Sequence, residues 1–79
     1  MTKQEVMQKL QDVFRDVFDD DTIHIDENTT ANDIEEWDSL EHITLIGAVE
    51  KTFKMRFKMK EVSSMKDVGE MVEIILERI

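Results

Sequence analysis

The chain of 79 residues carries 19 Asp and Glu against 10 Lys and Arg, a formal net charge of -9, with no cysteine, no proline and two glycines. Without cysteine there are no disulfides and no thiolate metal sites, so a chain this small must hold together by packing regular elements, and scarce Gly and Pro favour helices. The acidic balance argues against nucleic acid and anionic membrane as partners, since both reward Lys and Arg, and points to basic protein surfaces instead. No segment approaches the ~18 apolar residues of a membrane span, and no apolar run follows a charged start at Met1–Glu5. A cytoplasmic, monomeric protein with a single domain over residues 1–79 is expected.

Apolar residues at Val6, Leu10, Val13, Phe14, Val17 and Phe18 form one stripe of an amphipathic helix over residues 3–18. Thr2, with Glu5 three residues later, offers a capping box at its start. The acidic run Asp19-Asp20-Asp21 opposes the helix dipole and stops it. Periodicity then disappears until Trp37, leaving Ile23, Ile25, Ile34 and Trp37 as isolated anchors of a long loop pinned across the core. Within that loop, Thr30 and Asp33 suit a single capped turn.

A second helix is predicted over 39–54, with Leu40, Ile43, Ile46, Val49 and Phe53 on one face and Leu45 and Ala48 widening it. Residues 55–62 alternate apolar and basic, which reads as an extended connection with Phe57 tucked inward. Ser63 and Ser64 offer caps for a last helix carrying Val68, Met71, Val72, Ile75, Leu76 and Ile79 at helical spacing. The fold class is therefore all-α: a three- to four-helix bundle with a long loop between the first and second helices. Charge is segregated along it. Residues 12–41 hold twelve acids and one base, whereas residues 51–66 hold six bases and one acid. Two solvated faces would account for this, and so would an acidic docking surface near the start of the second helix.

The stretch Glu35-Glu36-Trp37-Asp38-Ser39-Leu40-Glu41-His42-Ile43 carries the most information. Asp38 suits the N-cap and Glu41 the reciprocal position of a capping box. Ser39 then becomes the first helical residue, with its hydroxyl released from capping and directed outward. A phosphate ester there would meet unpaired N–H groups and the positive end of the helix dipole, although the surrounding acids would partly oppose it. Acids around an exposed serine suit recognition by a basic enzyme.

Asp38-Ser39-Leu40, opening an amphipathic helix after a long pinned loop, resembles the attachment motif of acyl carrier proteins. The resemblance extends over nearly the whole chain in length, acidity, helix order and the Leu40/Ile43/Ile46/Phe53 spacing. It implies a 4'-phosphopantetheine arm, taken from coenzyme A by a phosphopantetheinyl transferase and joined to Ser39 by a phosphodiester. Asp38 would shape the attachment site and assist the transferase's metal-dependent reaction, while the chain itself holds no metal and catalyses nothing. The thiol of the arm would carry acyl groups as thioesters to acyl-activating, acyltransferase or ketosynthase-type enzymes. Glu35, Glu36, Glu41 and Glu50 would steer those partners' basic surfaces, and Leu40 and Ile43 would add apolar contact. Ile43, Ile46, Met65, Val68 and Met71 would line a space for the acyl chain, plain core packing being the alternative for each.

The chain departs from the fatty-acid members at three places. Trp37 stands where Gly often precedes the motif, and Thr44 and Lys51 stand where acids are usual. The Trp-Asp-Ser-Leu form with His42 looks more like a stand-alone carrier of a specialised polyketide, peptide or modified-acyl pathway. An aminoacyl or peptidyl carrier, or a helical adaptor with the same fold and no arm, are the alternatives. Ser39 and His42 share a helical face, so a hydrolytic pair can be drawn. There is no nucleophile elbow or oxyanion hole to support it. The acids of residues 19–27 fit no register of a calcium loop.

Overall fold

Thr2 opens the first helix as its neighbours dictate: its hydroxyl accepts the Glu5 N–H at 3.2 Å, and its own N–H donates to the Glu5 carboxylate at 2.9 Å. That reciprocal bonding holds the Glu5 carboxyl below its ordinary pKa. In the computed structural model, which describes residues 1–79, α1 (Lys3–Val17) is followed by α2 (Ser39–Phe53), α3 (Met59–Ser64) and α4 (Val68–Arg78), with no strand. The all-helical expectation holds, with the short fourth helix present as α3.

α1 packs against both α2 and α4. Its Val6, Leu10 and Phe14 are fully enclosed with Leu45 and Val49 of α2 and Val68, Met71, Val72 and Ile75 of α4. Burying each of the larger side chains contributes roughly 1.5–3 kcal/mol, and together they replace the disulfides that the chain lacks. The helix ends one residue early at Val17, where the Phe18 N–H closes on the Phe14 carbonyl at 3.0 Å and Asp19 turns into the left-handed region at φ 50°.

The loop over residues 19–37 is pinned, as its spaced apolar residues suggest. Ile23, Ile34 and Trp37 are buried, and Ile25 is half-buried against the core. Polar ties from α1 add to these: Arg15 Nε donates to the Ile23 carbonyl at 2.8 Å, and the Gln11 side chain accepts the Ile25 N–H at 3.0 Å. A 3-10 turn forms at Ala31–Asp33, with the Asp33 carboxylate accepting from the Thr30 N–H at 2.9 Å.

Three expectations are corrected. Leu40 and Ile43 are not on the core face of α2. At about 100° per residue, Leu45, Ile46, Val49 and Phe53 share one side, and Leu40, Ile43 and Gly47 lie on the other. The connection after α2 is extended only through Lys58. Met55 and Phe57 are buried, but residues 59–64 coil into α3, and the Glu61 carboxylate reaches back to accept the N–H of the preceding Lys58 at 2.7 Å. Ser63 and Ser64 therefore end α3 and do not start α4. Asp67 caps α4, its carboxylate taking the Glu70 N–H at 2.9 Å.

α4 begins against the loop. The Val68 N–H donates to the Thr29 carbonyl and the Gly69 N–H to the Glu27 carbonyl, both at 2.9 Å. A Cβ on Gly69 would sit 2.9 Å from that Glu27 oxygen, so only glycine permits the contact. Across the other end of the bundle, Arg78 grips Glu61 of α3 through two N–H···O bonds of 2.6 Å. Those bonds, with the Lys58 N–H, pull the Glu61 carboxyl down to about 2 and raise the Arg78 pKa.

Candidate functional site

Ser39 is the first residue of α2 and is exposed. Asp38 supplies the cap, accepting the Glu41 N–H at 2.8 Å. The reciprocal half of the expected capping box is absent, because the Asp38 N–H turns back to the Glu36 carbonyl at 3.1 Å and leaves the Glu41 carboxylate uncommitted. Ser39 Oγ takes part in no hydrogen bond. The N–H groups of Ser39 and Leu40 also have no partner, which is the usual condition of a first helical turn that the rest of the chain does not cover.

Trp37 holds this segment down from below. Its ring meets Phe14 edge-on at a centroid distance of 5.1 Å and lies near Phe18 at 6.4 Å. A buried anchor directly before an exposed Asp38-Ser39 pair fixes the pair while leaving it open to solvent. His42 stacks on the other side of the indole, with ring planes 28° apart and centroids 5.9 Å apart. Its Nδ1 accepts from Trp37 Nε1 at 3.0 Å, and its Nε2 lies 3.0 Å from the Val62 carbonyl oxygen. Both imidazole nitrogens are thus engaged away from Ser39, and the two residues form no hydrolytic pair. His42 faces Trp37 and α3. In helical register it lines up with Val49 and Phe53, a signal already present in the sequence.

A groove of about 560 Å³ opens beside Ser39 between α2 and α3. Ile43, Met65 and Met71 line it with Trp37, His42 and Val62, and Asp38, Ser39, Lys66 and Asp67 stand at its polar margin. Ile46 and Val68 do not line it; both belong to the packed core. Leu40 and Ile43 project from the outer face of α2 at 75% and 68% exposure. Around them, Glu35, Glu36 and Asp38 are exposed and Glu41 is half-buried.

Glu50 lies elsewhere. Eleven residues along α2 from Ser39, it uses its carboxylate to accept the Phe57 N–H at 2.8 Å and so tethers the connection to α3. Beside it a shallow depression of about 500 Å³ is bordered by Lys51, Lys54 and Arg56. The outer ridge of α2 therefore changes sign from acid at Ser39 to base at its far end. No group of His, Cys, Asp and Glu is arranged to hold a metal ion.

Neither a protein-family model nor a curated protein matches the chain. Among solved structures, the solution structure of a holo acyl carrier protein from Geobacter metallireducens superposes with a TM-score of 0.87. It is 38% identical in sequence over 92% of this chain and 84% of that one. With a likeness of that extent in both sequence and fold, the chain belongs to the acyl carrier protein family.

Proposed function

We propose that the protein carries acyl groups on a 4'-phosphopantetheine arm attached to Ser39 and presents them to partner enzymes. The observation that carries this reading is the exposed, unbonded Ser39 hydroxyl on the open first turn of α2, in a chain akin to a holo carrier. The residues present fit such a group. The unpartnered N–H groups of Ser39 and Leu40 and the positive end of the helix dipole favour a phosphodiester at that position. Asp38 holds the turn open by capping one residue further on. When bound, the arm supplies a thiol that carries the acyl group as a thioester, in a chain with no thiol of its own.

Glu35, Glu36, Asp38 and Glu41 give partners with basic surfaces an electrostatic target, and Leu40 and Ile43 give them apolar area at its centre. The first such partner is the phosphopantetheinyl transferase. Glu50 acts in the fold, through its bond to Phe57, and is dropped from this surface. The basic end of α2 at Lys51, Lys54 and Arg56 supports service to a dedicated set of enzymes of a specialised pathway. The net charge of -9 favours a monomer by mutual repulsion, and no helix is long and apolar enough to cross a membrane. The setting for this cycle is the cytoplasm.

Incubation with coenzyme A, magnesium and a broad-specificity transferase is expected to add one phosphopantetheine group, read by intact mass. Ser39→Ala is expected to add none. An unmodified wild-type chain, or equal modification of the variant, would overturn the reading.

A further inference from the structure

His42 ties Trp37 of the loop, α2 and α3 together through one side chain. An indole N–H can only donate, so Nδ1 of His42 must accept from Trp37, and the ring is the neutral form protonated at Nε2. A carbonyl can only accept, so that Nε2–H donates to Val62. The Val62 carbonyl belongs to the last turn of α3, where helix carbonyls lack intrahelical partners, and His42 supplies one. α3 needs the tie. It has six residues, none of them buried, and Met59 on it is 88% exposed. Its other polar anchor is the neighbouring Glu61, held by Arg78 at the end of α4.

The same bridge crosses the groove beside Ser39. His42 and Ile43 stand on one wall and Val62 on the other, with Met65 and Met71 beyond. The stacked indole keeps the imidazole edge aimed at Val62, so one ring and its Nε2–H···O bond span the gap between α2 and α3 beside the apolar packing of Val62 on the core. We propose that His42 is a positioning residue that fixes the width of this groove and thereby selects which acyl groups it shelters. The inference rests on the carrier reading of Ser39. A groove pinned across its width but open along its length selects by girth, favouring straight acyl chains over branched ones.

Two variants separate the bridge from the packing. His42→Phe keeps a flat ring against Trp37 without the hydrogen bonds, whereas His42→Gln keeps one acceptor and one donor. On the unloaded chain, imidazole nitrogen shifts are expected to show the Nε2–H tautomer. Amide exchange across residues 59–64 is expected to quicken about fivefold in His42→Phe and to stay within about twofold of wild type in His42→Gln. On chains loaded with octanoyl or 4-methyloctanoyl thioesters, which share one main-chain length, hydroxylamine is expected to cleave the octanoyl ester more slowly. His42→Phe is expected to bring the two rates within about twofold, and His42→Gln to restore the difference.

The Nδ1–H tautomer, unchanged exchange in His42→Phe, or an unchanged pair of cleavage rates would each overturn the proposal. Should His42→Phe not fold, Trp37→Phe removes the indole donor together with one ring of the buried anchor. It is expected to lower the Nε2–H population, and an unaltered tautomer would overturn the bridge. A chain that accepts no arm by intact mass overturns the carrier reading and the sheltering with it. The exchange measurements then still decide whether His42 holds α3.

Discussion

Two helices of this chain begin with the same pattern, Asp38-Ser39-Leu40-Glu41 and Asp67-Val68-Gly69-Glu70, and each aspartate caps the N–H three residues on, at 2.8 and 2.9 Å. Their remaining N–H groups differ. At α4 the loop closes over the turn, with the Thr29 and Glu27 carbonyls accepting from Val68 and Gly69. At α2 nothing in the chain covers Ser39 and Leu40. One start is completed by the fold and the other is left open to solvent. Sequence alone makes them equivalent capping signals. The difference comes from residues some forty positions away from α4.

The two glycines test that comparison most strongly. Gly69→Ala is expected to destabilise the protein by about 1–3 kcal/mol, since the new methyl meets the Glu27 backbone oxygen at 2.9 Å. Gly47→Ala, in the open middle of α2 with nothing within 4 Å, is expected to stabilise it by about 1 kcal/mol through helix propensity alone. Urea melts of the two variants should move in opposite directions. A stabilised Gly69→Ala would mean that the loop does not close on α4.

The two caps provide a finer contrast. Asp67→Ala and Asp38→Ala should each cost about 1 kcal/mol in denaturant melts. The loss at Asp67 is expected to be the larger, because the turn there is already fixed by the loop. Only Asp38→Ala is expected to slow arm attachment. Equal effects on attachment would erase the distinction between a structural start and a functional one.

The smallest effect is a pH dependence at α3. The Arg78 guanidinium, above all, holds the Glu61 carboxyl at about 2, below its ordinary 4.5. The pair therefore contributes its full stabilisation above about pH 4.5 and loses it as the pH falls toward about 2. The difference in thermal midpoint between wild type and Glu61→Gln is expected to shrink over that window. A constant difference would show that α3 is held without this pair.

The legible parts of the molecule were those with many repeated signals. α1 and α4 each carry a stripe of apolar residues, and Thr2 with Glu5 forms both bonds of its box. Ser39 stands out in the sequence because a cap and a helix start fall on consecutive residues. The place of the short fourth helix is not legible, because six residues contain too few turns to show a period and the alternation through Phe57 continues by chance into Met59. Glu50 reads as a surface acid by residue type, and His42 as a neighbour of Ser39 on one helical face. Their tasks depend on a backbone N–H at Phe57 and a carbonyl at Val62, which no side-chain pattern reveals. Gly69 carried the one usable hint, a glycine inside a helical stripe where alanine would otherwise be favoured.

Trp37 has an optical consequence. It is the only tryptophan in a chain without tyrosine, and it lies one residue before the Asp38-Ser39 pair, packed between Phe14 and His42. The intrinsic fluorescence of the whole protein therefore arises from the seam that joins the loop, α2 and α3. Any rearrangement of that seam can be followed as a change in emission, with no label attached.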